Sequence, residues 1–406
     1  RDVERSRGLG DVYKRQAILC AVAMLSLLCL TACGTPAETD EATGTESAAT
    51  DAEEITIGVF GPLTGTMAIG GTRQQDGISY AIEKINANGG LCDGKYTLNA
   101  IFEDTEGNSE NAVTIMNKFL YKDEVACTMG SNNSPEVLAI LDMLTESGTP
   151  HIVPSGVNMA ITDSGCQWVF RVTATDVVYS KALLDYAVDT LGDSKIAVIY
   201  DTNDYGVGGL NLLKGYMEER GMSFVAEEGY TTGTKDFTAS LLKIQSAGAD
   251  AIILWGNYTE GGQIVRQVKE IGIDADILLS TGATIGNFFE LAGETATGCY
   301  GVSSGFSPAR TDEEAVNFIK EFEEAKGYTP DINVVLAYDA VNVLAQAIEN
   351  CGSSDRTAIR DALREIQDFH AISGTVSFNE NGDGGQDCLL FRITDGTTGE
   401  TEILAQ

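Results

Sequence analysis

Two short loops gather the side chains best suited to holding a small anion. Gly130-Ser131-Asn132-Asn133-Ser134-Pro135-Glu136 follows an apolar run, with Ser134 placed to cap a helix and Pro135 at the first position of that helix. Ser155-Gly156-Val157-Asn158 is a second small-residue loop after another short strand. Hydroxyls and the free N–H groups of a helix start complement negative charge. Catalysis finds less material. The chain has two histidines, His151 at a strand start and His370 near a helix end, and no Walker pattern. No triad or phosphate loop assembles from these motifs, so the reading is not an enzyme. With no C-x-x-C pair, neither a metal site nor a cofactor is expected, and Cys92, Cys127, Cys166, Cys299, Cys351 and Cys388 read as buried or free thiols.

The elements that must position these loops follow a repeated plan. Ile55, Ile57 and Val59 form a β-branched run that breaks at Gly61-Pro62, and Ile78, Ala81, Ile82 and Ile85 then draw one apolar stripe along a helix closed by Asn88-Gly89-Gly90. Strands are expected at 96–102, 125–129, 151–154 and 168–172, with helices at 108–121 and from Ser134 to Glu146. The pattern resumes with strands at 195–200, 224–227, 251–255 and 277–279 and helices at 210–220, 237–247 and 260–271. Strand–helix alternation at this spacing predicts parallel sheets in two α/β lobes, with loops at the strand ends facing a cleft. After Cys299 come helices at 315–326, 333–350 and 357–368, then a closing hairpin of 375–378 and 389–393.

The N-terminal segment reads differently. Residues 1–16 show no periodicity and are expected to be a leader foreign to the fold, whereas Ala17 to Leu30 is almost wholly apolar after Lys14-Arg15, the size of a signal-peptide core. Leu30-Thr31-Ala32-Cys33-Gly34 resembles a bacterial lipobox, which implies lipidation of Cys33 and a place on the outer face of the cytoplasmic membrane. Residues 34–54 carry seven acids and no bases and read as a disordered tether. The formal net charge is −34, and without residues 1–33 there remain 21 bases against 57 acids, which excludes a nucleic-acid partner.

Taken together, Gly61-Pro62-Leu63-Thr64-Gly65, the Ile85-Asn86-Ala87-Asn88-Gly89-Gly90 helix end, Asp201 to Tyr205-Gly206, and Phe378-Asn379-Glu380-Asn381-Gly382-Asp383 resemble the leucine/isoleucine/valine-binding proteins of branched-chain amino acid ABC transporters. The likeness covers nearly all of Glu54 to Gln406. It implies a type I periplasmic-binding fold: α/β, two Rossmann-like lobes joined by about three hinge crossovers, with the ligand in the cleft. It also implies a monomer that delivers its ligand to a membrane permease. The expected division is 55–175 with 302–350 for the first lobe and 176–301 with 351–406 for the second.

The resemblance further assigns a site. Ser131 and Ser155 match positions that hold an α-carboxylate, and Tyr205 and Tyr258 fall where aromatic residues close over the ligand. Three positions depart from the pattern: Ile69 stands for an aromatic residue, Val157 for a carboxylate-binding threonine, and Gly282-Ala283 for the acid that pairs with the ammonium group. Asp104, Asp201 and Asp204 are the alternatives for that acid. The expected ligand is a small amino acid or related carboxylate with an apolar side chain, a non-amino carboxylate or amide staying open. A lipoprotein that feeds a separate receptor is the competing function.

Overall fold

The computed structural model describes residues 52–405. The leader, the signal segment, Cys33 and the tether as far as residue 51 lie outside the described residues. The tether expected through residue 54 ends sooner, because Glu53 and Glu54 already pair with Tyr96 and Thr97.

The first lobe is built from β1 (Glu53–Gly61), α1 (Ala68–Ala87), β2 (Tyr96–Asp104), α2 (Ser109–Tyr121), β3 (Cys127–Met129), α3 (Ser134–Leu138), α4 (Leu141–Ser147), β4 (His151–Val153), α5 (Ala160–Asp163) and β5 (Val169–Arg171). Its sheet is parallel, in the order β2-β1-β3-β4-β5. The single helix expected from Ser134 to Glu146 is broken, because α3 stops at Leu138 and α4 starts at Leu141.

The second lobe holds α6 (Asp176–Asp185), β6 (Ile196–Asp201), α7 (Asp204–Glu219), β7 (Ala226–Tyr230), α8 (Thr238–Ala247), β8 (Ala251–Trp255), α9 (Tyr258–Ile271), β9 (Asp276–Leu279), α10 (Phe288–Ala292) and β10 (Tyr300–Ser303). The chain then returns to the first lobe through α11 (Glu313–Lys326), α12 (Ile332–Cys351), α13 (Arg356–Arg364), β11 (Phe369–Ala371) and β12 (Gly374–Val376). It ends in the second lobe with β13 (Leu389–Asp395) and β14 (Glu400–Ala405), antiparallel additions to a seven-stranded sheet in the order β14-β13-β10-β9-β8-β6-β7. The backbone thus passes between the sheets three times, after β5, after β10 and before β13.

Two expectations about the last third need correction. The return to the second lobe does not come at residue 351. Ile359, Leu363, Ile366, Ala371, Val376 and Phe378 all join the core formed by β1, α1 and α12, so residues 356–378 complete the first lobe. Nor do 375–378 and 389–393 form a hairpin. β12 pairs with β11, and β13 pairs with β10 and β14. The segment between them is a crossover held by Asp383, which is buried against Arg171: Arg171 Nε and Nη2 donate to Asp383 Oδ1 at 2.8 and 2.5 Å, and Thr162 Oγ1 donates to Oδ2 at 3.0 Å. A fully buried guanidinium is tolerated because its other donors also find partners, at the Asn158 carbonyl and the Thr162 hydroxyl.

Helix α12 is apolar enough to cross a bilayer by composition, yet 72% of its most apolar stretch is buried, which makes it a core helix. It presses on α1 at Gly77, where a Cβ would stand 2.2 Å from the Val334 carbonyl oxygen, so only glycine permits this approach. The contact brings the N-terminus of α12 to the mouth of the cleft.

Candidate ligand-binding site

Strand ends from both sheets converge on one interlobe cavity. The first lobe supplies Met67 after β1, Asn132, Asn133 and Ser134 after β3, Ser155 and Val157 after β4, and Asn333 and Leu336 from α12. The second lobe contributes Tyr205 after β6, Asn257 and Tyr258 after β8, and Thr281, Gly282 and Ile285 after β9. Thr173, Ser303 and Ser304 line it where the chain crosses between lobes.

Four of the expected site residues meet here. Ser155 lies on the wall, where its Oγ accepts from Gln74 Nε2 at 2.5 Å and donates to Asn333 Oδ1 at 3.3 Å. Val157 is part of the apolar lining. Tyr205 and Tyr258 also face the cavity, and burial raises both phenols, that of Tyr258 to about 12. Each phenol oxygen accepts a backbone N–H, from Gly282 for Tyr205 and from Gly70 for Tyr258, both at 3.3 Å, and the Tyr258 bond runs from one lobe to the other.

Two expected residues stand elsewhere. Ser131 is fully buried and its Oγ accepts the Asn133 N–H at 3.2 Å, so it braces the loop from behind while Asn132, Asn133 and Ser134 reach the lining. Ile69 packs against the core of the second lobe, and Met67 takes the place on the wall.

None of the alternatives for an ammonium-pairing acid lines the cavity. Asp104 accepts from the Leu63, Thr64 and Glu106 N–H groups and from the Thr64 hydroxyl. Asp201 accepts twice from Thr232 and once from Asn203. Asp204 meets the first lobe through its carbonyl, which accepts from Asn158 Nδ2 at 2.6 Å.

Asp176, which was not among the expected residues, has the property they lack. It is fully buried at the start of α6, and neither carboxylate oxygen has a hydrogen-bond partner among the described residues. Its N–H donates to the carbonyl of the cavity residue Val157 at 3.1 Å, and the phenols of the cavity residues Tyr179 and Tyr205 lie within electrostatic reach. Burial raises its carboxyl to about 8, although Arg171 pulls it down. An unpaired carboxylate in such a place costs several kcal/mol unless it is neutralised by a proton or a cation.

The amides tell the same story with opposite sign. Asn257 Nδ2 and Asn333 Nδ2 are buried donors without acceptors, while Asn132 Oδ1 is a buried acceptor without a donor, among the described residues. All three side chains line the cavity. Unused donors and an unused carbonyl on the wall of one cavity, with an unused carboxylate behind it, are complementary to a zwitterion. Neither histidine takes part. His151 is buried, bonded through Nδ1 to Thr128 Oγ1 at 2.9 Å and held at about 3 by desolvation, and His370 pairs with Glu314 at the surface.

Comparison with known proteins identifies the family of the chain. The profile of a family described as periplasmic binding protein matches residues 54–398. A Leu/Ile/Val-binding protein homologue of Brucella melitensis is 30% identical over 345 residues, covering 84% of this chain and 92% of the relative. A leucine-, isoleucine-, valine-, threonine- and alanine-binding protein of Pseudomonas aeruginosa is 30% identical over 335 residues, 82% of this chain and 87% of the relative. Among solved structures, a branched-chain amino acid transporter substrate binding protein of Streptococcus pneumoniae, in complex with isoleucine, superposes with a TM-score of 0.80 at 27% identity, covering 87% of this chain and 99% of that one.

Proposed function

Since the chain belongs to the periplasmic binding protein family, in the branch of leucine/isoleucine/valine-binding proteins, we propose that it captures an α-amino acid with an apolar side chain and delivers it to an ABC permease. The family is extracytoplasmic and its members bind substrates rather than transform them. The observation that carries the reading is the Asp176 carboxylate, buried and unpaired beside the cavity. An ammonium group of the ligand supplies its missing charge. Asn257 and Asn333, together with the Ser134 hydroxyl, supply donors for the α-carboxylate. Met67, Val157, Ile285 and Leu336, with the rings of Tyr205 and Tyr258, surround an aliphatic side chain.

This assignment gives the ammonium group a partner without an acid near Gly282-Ala283. It therefore favours amino acids over their deaminated analogues. The lipobox cysteine Cys33 would hold the protein, as a monomer, at the outer face of the cytoplasmic membrane.

Calorimetric titration with leucine, isoleucine, valine and phenylalanine, then with their keto acids and amides, tests the proposal. Binding of the amino acids with at least tenfold preference over both analogue sets is expected. Keto acids that bind more tightly would overturn the role of Asp176, and amides that bind equally would overturn the carboxylate half.

A further inference from the structure

On the first lobe, two half-buried thiols meet at one atom. Cys92 lies in the turn that precedes β2, Cys351 is the last residue of α12, and each Sγ is 3.6 Å from the Ile348 carbonyl oxygen. The two sulfurs are thus at most twice 3.6 Å apart. The backbone beneath them is already docked. Cys92 N–H donates to Glu349 Oε1 at 2.7 Å, and Lys95 Nζ and the Tyr96 hydroxyl both reach the Gly352 carbonyl, at 3.0 and 3.4 Å. A sulfur swings through about 3 Å when its side chain turns from one rotamer to another. Rotation of both side chains therefore spans the gap without moving the turn from the helix end.

The other thiols are placed differently. Cys127 and Cys299 are buried and pushed up to about 12 by desolvation, Cys166 accepts from Thr145, and Cys388 packs on the second lobe. We propose that Cys92 and Cys351 form a disulfide when the protein is exposed to an oxidising compartment. Each thiol gives up its hydrogen. The two electrons and two protons pass to a disulfide oxidant of the thiol-exchange class, such as oxidised glutathione, which is split into two thiols as the new S–S bond forms. Burial and the Glu349 carboxylate raise the Cys92 thiol, so exchange without a catalyst accelerates as pH rises.

The bond would join the amino end of β2 to the carboxyl end of α12, whereas the cleft is built at the carboxyl ends of the strands. It should therefore raise stability without touching ligand affinity, and it stands independently of the function proposed above. The closed loop contains most of the chain, a length at which crosslinks constrain the unfolded state most strongly.

The test incubates the purified chain with oxidised glutathione, blocks residual thiols with iodoacetamide and maps the unreduced peptides by mass spectrometry. A joined peptide containing Cys92 and Cys351, two hydrogens lighter than the sum of its parts, is expected. Dithiothreitol should then lower the melting temperature of the oxidised wild type by about 5 °C or more. The Cys92→Ser and Cys351→Ser variants, whatever their own stability, should show no such response to reductant. Alkylation of both cysteines after oxidation, or pairing of either with another cysteine or a second copy, would overturn the proposal.

Discussion

Replacing Asp176 with Asn keeps the shape of the side chain and removes the charge that the ligand is proposed to neutralise. In the ligand-free protein the carboxyl titrates near pH 8, so at neutral pH it is largely protonated. To pair with an ammonium group it must give up that proton, which costs about 1.4 kcal/mol for each pH unit below its pKa. Affinity of the wild type should thus rise about tenfold per pH unit between pH 6 and 8, then level off, with a proton released on binding. Truncating one member of a buried charge pair costs roughly 2 to 5 kcal/mol, so at pH 8.5 Asp176→Asn should weaken leucine binding by about thirtyfold to several thousandfold. The variant has no proton to release, so its affinity should be flat with pH and the gap should shrink toward pH 6. Calorimetry in buffers of different ionisation enthalpy reads both affinity and proton release. Stability should move the other way. The folded pKa stands above the unfolded value of 3.8, so the stability this group contributes is complete below pH 3.8 and is lost as pH rises through about 8. At pH 8 the ligand-free variant should therefore melt several degrees higher than the wild type, and near pH 4 the two should coincide. A wild-type affinity that does not change between pH 6 and 8, or a variant that binds leucine normally at pH 8.5, would refute the reasoning.

Three other outcomes are expected. Tyr258→Phe removes the acceptor of the interlobe bond from Gly70, so ligand binding should weaken by roughly two- to tenfold, as titration would show, with the urea midpoint unchanged. Asp383→Ala strands a buried guanidinium and should lower stability by about 3 to 5 kcal/mol in urea unfolding; a change under 1 kcal/mol would mean that Arg171 finds other partners. Cys33→Ala should shift the protein from the membrane to the soluble fraction, and retention in the membrane would remove the case for a lipid anchor.

The alternation of strands and helices was legible because each strand is an apolar run and each helix repeats its own stripe, and the loops at strand ends were legible for the same reason. What escaped was set over long distances. α6 opens on Asp176, a buried acid directly after a crossover, so its start carries no apolar signal even though Tyr179, Leu183 and Leu184 further along it face the core. A serine in a polar loop carries no mark of which way it points, and the turn sends Ser131 behind Asn132 and Asn133. An acid at the start of the helix that follows β5 is the available signal for Asp176. The sequence Asn379-Glu380-Asn381-Gly382-Asp383 has the composition of a hairpin turn, and only its bond to a residue 212 positions earlier makes it a crossover.

That bond also sets the order in which the molecule can be finished. The core of the first lobe takes side chains from Ile55 at one end of the described chain and Phe378 near the other, and Asp383 seals it. A chain emerging from its amino end therefore exposes β1 long before α12, α13 and Phe378 exist to cover it. The lobe begun first is completed almost last. Contacts of such range make closure slow, because the entropy of a long loop is lost before its contacts form. Until residues 356–378 have been made, the apolar faces of β1 and α1 that share a core with them stay open.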